Sequence, residues 1–167
     1  YGAFLDTRFN GWVSYSLLQS DRTQPRDRGT TVTLEEGPAP FDLTHQFTAV
    51  GKARVIDQLR LGATYRYVTG RPFTPVVGTE RLDKGPLLPI DGPVGSERLP
   101  AYHRLDLQAS YYWPFNRQQH VILYAALNNA LDRANVVDVT YAADYDTRSY
   151  RRTDFVRSFY FGITLTL

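Results

Sequence analysis

Apolar and polar residues alternate along seven segments of this 167-residue chain, and this alternation constrains the fold more than any other feature. Successive side chains of a β-strand point to opposite faces, so a period of two predicts strands with one apolar and one polar face. In the clearest segment, 58–69, the apolar positions from Leu59 to Tyr67 alternate with polar positions that include Arg60 and Arg66. No segment of comparable length has helical periodicity, and the sequence therefore predicts an all-β fold.

The predicted strands are joined by connections of two lengths. The strands are expected at residues 1–8, 11–22, 43–55, 58–69, 102–113, 119–129 and 155–167. Short turns at 9–11, 55–58 and 114–118 alternate with long loops at 21–42, 70–101 and 130–154. Long structureless loops are uncommon in compact soluble domains, whereas outer-membrane barrels alternate short periplasmic turns with long external loops. We therefore expect an antiparallel transmembrane β-barrel wall of about seven strands, with the three long loops outside.

The composition narrows the classes of function. There is no cysteine, so the chain offers neither a disulfide framework nor a thiolate metal site. The net charge of +2 and the scattered basic residues give no support for nucleic-acid binding. No run approaches 18 apolar residues, so no transmembrane helix is predicted. The mean hydropathy of −0.36 is compatible with a barrel, because only one face of each strand meets lipid.

Charged side chains on the predicted polar face are the candidate ligand-path residues. A charge on this face needs water, as in the polar lumen of a barrel, and three of the four charges are positive, which favours an anionic ligand. The residues are Arg60, Arg66, Arg104 and Asp106. Aromatic residues are expected to form girdles at the two membrane interfaces. They are Tyr65 and Tyr67 at one interface and Trp113 and Phe115 at the other.

The sequence predicts no enzyme, metal site or cofactor. His45, His103 and His120 lie on different predicted strands without metal-ligand spacing. No nucleophile elbow or glycine-rich phosphate loop is present. We expect Glu35 and Glu36 to form a solvated run in a polar loop.

Three aspartates lie in the last long loop. Asp138, Asp144 and Asp146 could bind Ca²⁺ or grip a ligand, but calcium needs six or more converging oxygens. A solvated extension of two strands is the preferred interpretation of this loop.

The C-terminal segment Ser158–Leu167 resembles the signal by which the bacterial assembly machinery recognises outer-membrane β-barrels. The matching residues are Tyr160, Gly162, Leu165 and Leu167. Family members most often end in Phe, whereas this segment ends in Leu167. The resemblance implies the barrel-assembly machinery as a partner and the bacterial outer membrane as the location.

Four further motifs, in order along the chain, resemble the C-terminal third of a TonB-dependent outer-membrane receptor. They are Phe41-Asp-Leu-Thr-His45, Thr69-Gly-Arg-Pro-Phe-Thr-Pro-Val76, Arg98-Leu-Pro-Ala-Tyr-His-Arg-Leu-Asp-Leu107 and Leu127-Asn-Asn-Ala-Leu-Asp132. The family implies a 22-stranded barrel filled by a plug that couples to a TonB-type energised protein. It also implies import of a scarce ligand such as a ferric chelate (siderophore), cobalamin or a glycan.

Seven strands leave two edges that cannot face lipid unpaired. We therefore expect the chain to be a piece of a larger barrel, whose other partners are outer-membrane lipid, the remaining strands and the plug. Two alternatives stay open. One is a stand-alone small barrel, such as a lipid-acting enzyme or an adhesin; the other is a soluble β-sandwich or lipocalin-like binding protein.

Overall fold

The computed structural model describes residues 2–5, 8–27, 31–81, 85–116 and 118–166. All regular secondary structure in these ranges is β-strand, and they contain no helix long and apolar enough to cross a membrane. The strands are β1 (Gly2–Leu5), β2 (Phe9–Leu17), β3 (Asp21–Asp27), β4 (Val32–Pro38), β5 (His45–Arg54), β6 (Leu59–Val68), β7 (Pro72–Phe73), β8 (Val76–Arg81), β9 (Leu87–Asp91), β10 (Glu97–Arg98), β11 (Tyr102–Pro114), β12 (His120–Asn128), β13 (Val136–Tyr141), β14 (Arg148–Arg152) and β15 (Ser158–Thr166).

One seven-stranded antiparallel sheet forms the body of the molecule, in the order β1-β2-β5-β6-β11-β12-β15. The prediction of an all-β antiparallel fold is confirmed. Each of the seven segments with alternating pattern overlaps one strand of this sheet. The sheet is not closed: in the described part of the chain, β1 and β15 are its two edges.

The position predicted for the first turn is wrong. Residues 9–11 lie inside β2, with Asn10 opposite Leu5 and Gly11 opposite both Phe4 and Gly51, so the connection from β1 falls at 6–8. A Cβ on Gly11 would stand 2.5 Å from the carbonyl oxygen of Val50. This glycine therefore permits close approach of two strands, which is a second common role of glycine besides turn formation.

All three long loops contain paired strands, which was expected only for residues 130–154. Residues 21–42 contain the β3–β4 hairpin and residues 70–101 contain the β8–β9 hairpin above the short β7–β10 pair. Residues 130–154 contain the β13–β14 hairpin, as preferred for this loop. Antiparallel pairing satisfies the backbone N–H and C=O groups that an irregular loop of this length would leave to solvent.

All three hairpins leave the same end of the sheet, which we call the hairpin end, and the short connections lie at the opposite turn end. We refer to residues 18–44, 69–101 and 129–157, where described, as the rim. The rim therefore stands above the hairpin end of the sheet.

The strand register shows that the alternating patterns of neighbouring strands coincide on the same two faces. One row across the sheet joins Ala53, Leu61, Ala109, Ala125 and Phe161. This apolar face carries no Asp, Glu, Lys or Arg on β2, β5, β6, β11, β12 or β15, the sheet strands whose side chains are described. The opposite polar face carries the charges of the sheet.

No second layer of the described chain covers the apolar face. Phe161 is 76% and Ile163 is 70% exposed, and their neighbours along the sheet are exposed or half-buried. The buried hydrophobic residue of the described chain, Leu99 at 6% exposure, lies in the rim. The sheet is therefore held by its backbone ladder, and its apolar side chains have no core to enter.

Candidate functional site

The polar face carries a strip of four cations on β5 and β6. They are Lys52, Arg54, Arg60 and Arg66. Arg54 lies directly opposite Arg60, so two like charges face each other across the strands. All four residues are exposed, and none makes an ion pair with a described carboxylate. Such a strip raises the local concentration of anions.

The other two predicted ligand-path residues, Arg104 and Asp106, bind each other. The Nε atom of Arg104 donates to both carboxylate oxygens of Asp106 at 2.8 Å, and its guanidinium lies 4.6 Å from the ring centre of Phe155. Asp106 also accepts the backbone N–H of Asn129 at 2.9 Å. The four predicted residues thus share one face. Arg104 and Asp106 form a neutralised pair, whereas Arg60 and Arg66 have no ion-pair partner among the described residues.

Through its hydrogen bond to Asn129, Asp106 contacts the corner that the chain forms at Leu127–Asp132. Asn129 is 3% exposed and has a left-handed backbone with φ of 50°, which asparagine tolerates better than most residues. Its side-chain Nδ2 donates to the carbonyl oxygens of Arg133 and Phe155, and its Oδ1 accepts the N–H of Arg133. This side chain therefore fixes where β12 ends and how the chain returns to β15.

A second buried amide holds the start of β11. The Oδ1 of Asn135 accepts the N–H of His103 at 3.0 Å, and its Nδ2 donates to the carbonyl of His103 at 2.8 Å. The Asn135 side chain thus takes the place of a neighbouring strand, and satisfies backbone groups at the point where the ladder ends.

Three of the sequence motifs meet at one ion pair in the rim. Arg98 donates to the carboxylate of Asp42 at 2.7 Å and to the backbone carbonyls of Asp42 and Gly70. Asp42 is 2% exposed, and Thr44 donates to its other carboxylate oxygen. We call this contact the Asp42–Arg98 tie. It joins the segment before β5, the segment after β6 and the segment before β11.

Close backbone packing supports the tie. A Cβ on Gly70 would overlap the carbonyl oxygen of Leu99. The N–H of Leu99 in turn donates to the carbonyl of Arg71 at 3.0 Å. Glycine at this position therefore lets two rim segments touch, which no larger residue would allow.

The β3–β4 and β8–β9 hairpins are joined by Arg26. Its guanidinium donates to Glu35 at 2.7 Å and to the carbonyl of Gly92 at 2.6 Å, and lies 3.6 Å from Asp91. The expectation that Glu35 belongs to a solvated run is therefore wrong. Its side chain is part-buried because it sits on a paired strand, facing an arginine across the ribbon.

The β13–β14 hairpin is joined to the rest of the rim by two arginines. Arg71 donates to the carbonyl of Val137 at 2.8 Å and to Asp138 at 3.2 Å. Arg148 donates to Glu97, and this hydrogen bond raises the pKa of the arginine. The hydroxyl of Tyr141 also accepts the N–H of Val76.

The pKa of Asp138 is perturbed where the β13–β14 hairpin contacts the rest of the rim. Burial would raise the pKa of the carboxyl, but hydrogen bonds from the N–H of Val139 and from Arg151, with the charge of Arg71, lower it below its usual 3.8. The carboxylate therefore stays ionised and holds two arginines of the rim.

A cavity of about 440 Å³ opens where the polar face meets the rim, and we call it the rim cavity. Its walls come from β6, from the segment after β6, from the segment before β11, and from β13. The lining includes Leu43, Arg66, Val68, Arg71, Leu99, Tyr102 and Val137, and no carboxylate.

The predicted assembly-signal residues lie along β15, an edge strand. Leu165 is on the apolar face, opposite Val121, and Tyr160 is exposed on the polar face. Gly162 lies opposite Tyr124, whose ring occupies the space that a Cβ would need. Leu167 lies outside the described residues.

The three histidines lie beside aromatic rings. The hydroxyls of Tyr15 and Tyr65 lie 2.8 Å from Nδ1 of His45 and of His103, and His120 lies against Tyr112. In the part of the chain that the structure describes, no three His, Cys, Asp or Glu side chains are grouped to hold a metal ion.

Sequence reasoning missed the residues that shape the rim. Asp42, Arg98 and Asn129 stand inside the quoted motifs, but their mutual contacts were not predicted. One signal was available for the Arg104–Asp106 pair, because residues two apart on a strand share a face.

Comparisons of the chain with protein families, with curated proteins and with solved structures give no match.

Proposed function

We propose that this chain forms part of the wall and external mouth of an outer-membrane β-barrel receptor of the TonB-dependent type, which imports a scarce ligand. The observation that carries the proposal is the apolar face, which is uncharged on every sheet strand with described side chains and is uncovered. An exposed apolar surface of this extent needs either a membrane or a partner. Alternation between an apolar outer face and a polar inner face is the pattern of strands in outer-membrane barrels.

The dimensions of the apolar face support a membrane. Ten residue steps separate His103, at the hairpin end of β11, from Trp113 at its turn end. This distance is about 33 Å along the strand. With the usual barrel tilt of about 40°, it spans about 25 Å across the bilayer, the height of the apolar band in such proteins. Aromatic rings mark both limits, with Tyr65 and Tyr67 beside His103 and Phe115 beside Trp113.

The arrangement of the connections supports an orientation in which the rim faces the outside of the cell. All three hairpins stand at one end, where a receptor would face the outside, and the short connections stand at the other. The exposed cations of the polar face, Lys52, Arg54, Arg60 and Arg66, would then line the interior and favour an anionic ligand such as a ferric chelate.

The two edge strands favour a larger barrel over the alternatives. A stand-alone barrel would pair β1 with β15, and these strands are the opposite edges of the described sheet. A soluble sandwich would cover the apolar face with a second sheet, which the described residues do not provide. In the proposed receptor both edges pair with further strands, and a plug in the lumen couples to the TonB-type protein.

Cysteine labelling tests the proposal, because the chain has no cysteine of its own. Asp144→Cys places a thiol at the tip of the β13–β14 hairpin, and Asp57→Cys places one in the short β5–β6 connection. In intact cells a membrane-impermeant maleimide should label only the first variant, and both after lysis. Equal labelling in intact cells, or recovery of the protein from the soluble fraction without detergent, would refute a membrane-spanning wall.

A further inference from the structure

The rim cavity combines apolar walls with a single unpaired charge. Leu43, Val68, Leu99 and Val137 supply apolar surface. Arg66 reaches the cavity from β6 and makes no ion pair with a described carboxylate. The volume of the rim cavity, about 440 Å³, lies within the range of small-molecule sites, about 300–1,000 Å³.

The second arginine of the cavity already has partners. Arg71 donates to the carbonyl of Val137 and to the carboxylate of Asp138. Its charge is therefore partly compensated by a carboxylate that it shares with Arg151, and these contacts hold β13 against the cavity. Arg66 is left as the cation that can bind an incoming group.

Contacts within the rim hold the walls together. The Asp42–Arg98 tie holds the segment that carries Leu43, and Gly70 lies in close backbone contact with Leu99, so two lining segments are packed against each other. A preformed cavity loses little conformational entropy on binding, so more of the contact energy contributes to affinity.

We propose that the rim cavity binds a small amphipathic anion, in which an aromatic or aliphatic body carries one carboxylate or sulfonate group. The apolar body packs against Val68, Leu99 and Val137, and the anionic group binds Arg66. A fully hydrophilic anion would lose its hydration against these walls without compensation, and a neutral apolar compound would gain nothing from the arginine. This inference rests on the proposed function, because it takes the polar face as the import path.

Binding of 4-phenylbutyrate tests the inference, with 4-phenylbutan-1-ol and acetate as probes that lack the charge or the apolar body. The protein expressed from its complete gene is studied by titration calorimetry in lipid nanodiscs, with empty nanodiscs as the blank. We expect measurable binding of phenylbutyrate and at least tenfold weaker binding of the other two probes. Arg66→Gln should weaken phenylbutyrate binding about tenfold, the effect of losing one charge-assisted hydrogen bond.

Two further variants keep the test decisive. Val137→Asp places a carboxylate in the wall and should weaken phenylbutyrate binding at least tenfold, which tests the inference if Arg66→Gln fails to fold. Arg81→Gln is the matched control, because Arg81 is an exposed cation of β8 in the rim and lies outside the rim cavity, and it should change the affinity less than twofold. Equal binding of acid and alcohol, or equal loss in Arg81→Gln and Arg66→Gln, would overturn the inference.

Failure of the inference and failure of the proposed function give different results. Correct cell-surface labelling without selective phenylbutyrate binding refutes the cavity alone. Selective binding by a protein that needs no detergent or lipid supports the cavity and refutes the membrane wall.

Discussion

The sheet and the rim are stabilised in different ways. The sheet is a regular ladder: no described residue covers its apolar side chains, and no described carboxylate pairs with the cations of β5 and β6. The rim buries polar side chains such as Asp42, Asn129 and Asn135, and the described ion pairs concentrate there. Regular backbone pairing suffices where the surroundings are uniform, whereas three separate hairpins need specific side-chain contacts to keep one arrangement.

The largest expected loss of stability tests the Asp42–Arg98 tie of the rim. Arg98→Ala removes the partner of a carboxylate that is 2% exposed, and should lower the free energy of unfolding by about 3–5 kcal/mol, because an uncompensated buried charge remains. The measurement is urea unfolding monitored by tryptophan fluorescence. Arg54→Ala is the control on the sheet, where an exposed, unpaired cation should cost less than about 0.5 kcal/mol. Equal costs would remove the distinction between the two regions.

The next effect tests the two faces of the sheet. Leu61→Arg places a charge in the middle of the apolar face and should destabilise the protein by about 2–4 kcal/mol if this face meets lipid. Thr64→Arg, on the polar face of the same strand, should be tolerated. Folding yield and unfolding in lipid vesicles measure both, and equal tolerance would refute the assignment of the faces.

A smaller effect tests packing within the sheet. Gly162→Ala would overlap the ring of Tyr124, and because this exposed ring can turn away, the change should cost about 1 kcal/mol. Tyr124→Ala in the same chain should recover part of this loss, which a double-mutant cycle measures. Gly51→Ala is the matched control, because a Cβ there meets nothing within 4 Å. Additive costs of the two changes at 124 and 162 would argue against this contact.

The smallest effect concerns the pH dependence of the rim. The pKa of Asp138 is lowered in the folded protein. At pH values above the usual pKa of 3.8, the ionised carboxylate therefore stabilises the attachment of the β13–β14 hairpin to the rest of the rim. This contribution is lost as the pH falls through the lowered pKa. The protection factors of residues 136–141, which compare the observed hydrogen exchange with the intrinsic rate at each pH, should therefore fall on acidification below about pH 4. Asp138→Asn should show faster exchange already at neutral pH and a weaker response to acid. An unchanged acid response in this variant would assign the effect to other groups.

The fold of the sheet could be predicted from sequence because its pattern is local. Alternation marks each strand, and register follows once neighbouring apolar faces are aligned. The first turn was predicted at the wrong position because of Gly11. Glycine occurs both in turns and where two strands approach closely. The β3–β4 and β8–β9 hairpins escaped prediction because Pro25 and Gly78 interrupt any alternation, although both residues are tolerated in two-stranded ribbons.

The rim contacts could not be predicted, because they join residues far apart in the chain. Asp42 and Arg98 are 56 residues apart, and nothing in their local pattern indicates the contact. The rim cavity depends on this contact and on the position of β13, so its lining also required the structure. The strip of cations on β5 and β6 was half predicted: Arg60 and Arg66 were recognised, and Lys52 and Arg54 were not.

The Asp42–Arg98 tie also bears on how the hairpins can change during evolution. A connection of about thirty residues would ordinarily let its ends drift, and the entropy of closing it grows only slowly with length. Because the tie and the Gly70–Leu99 contact fasten both ends of 70–98, the β8–β9 hairpin is anchored at its base. Residues near its tip can then be inserted, deleted or exchanged with little effect on strand spacing, so the outward surface can diversify on an unchanged frame.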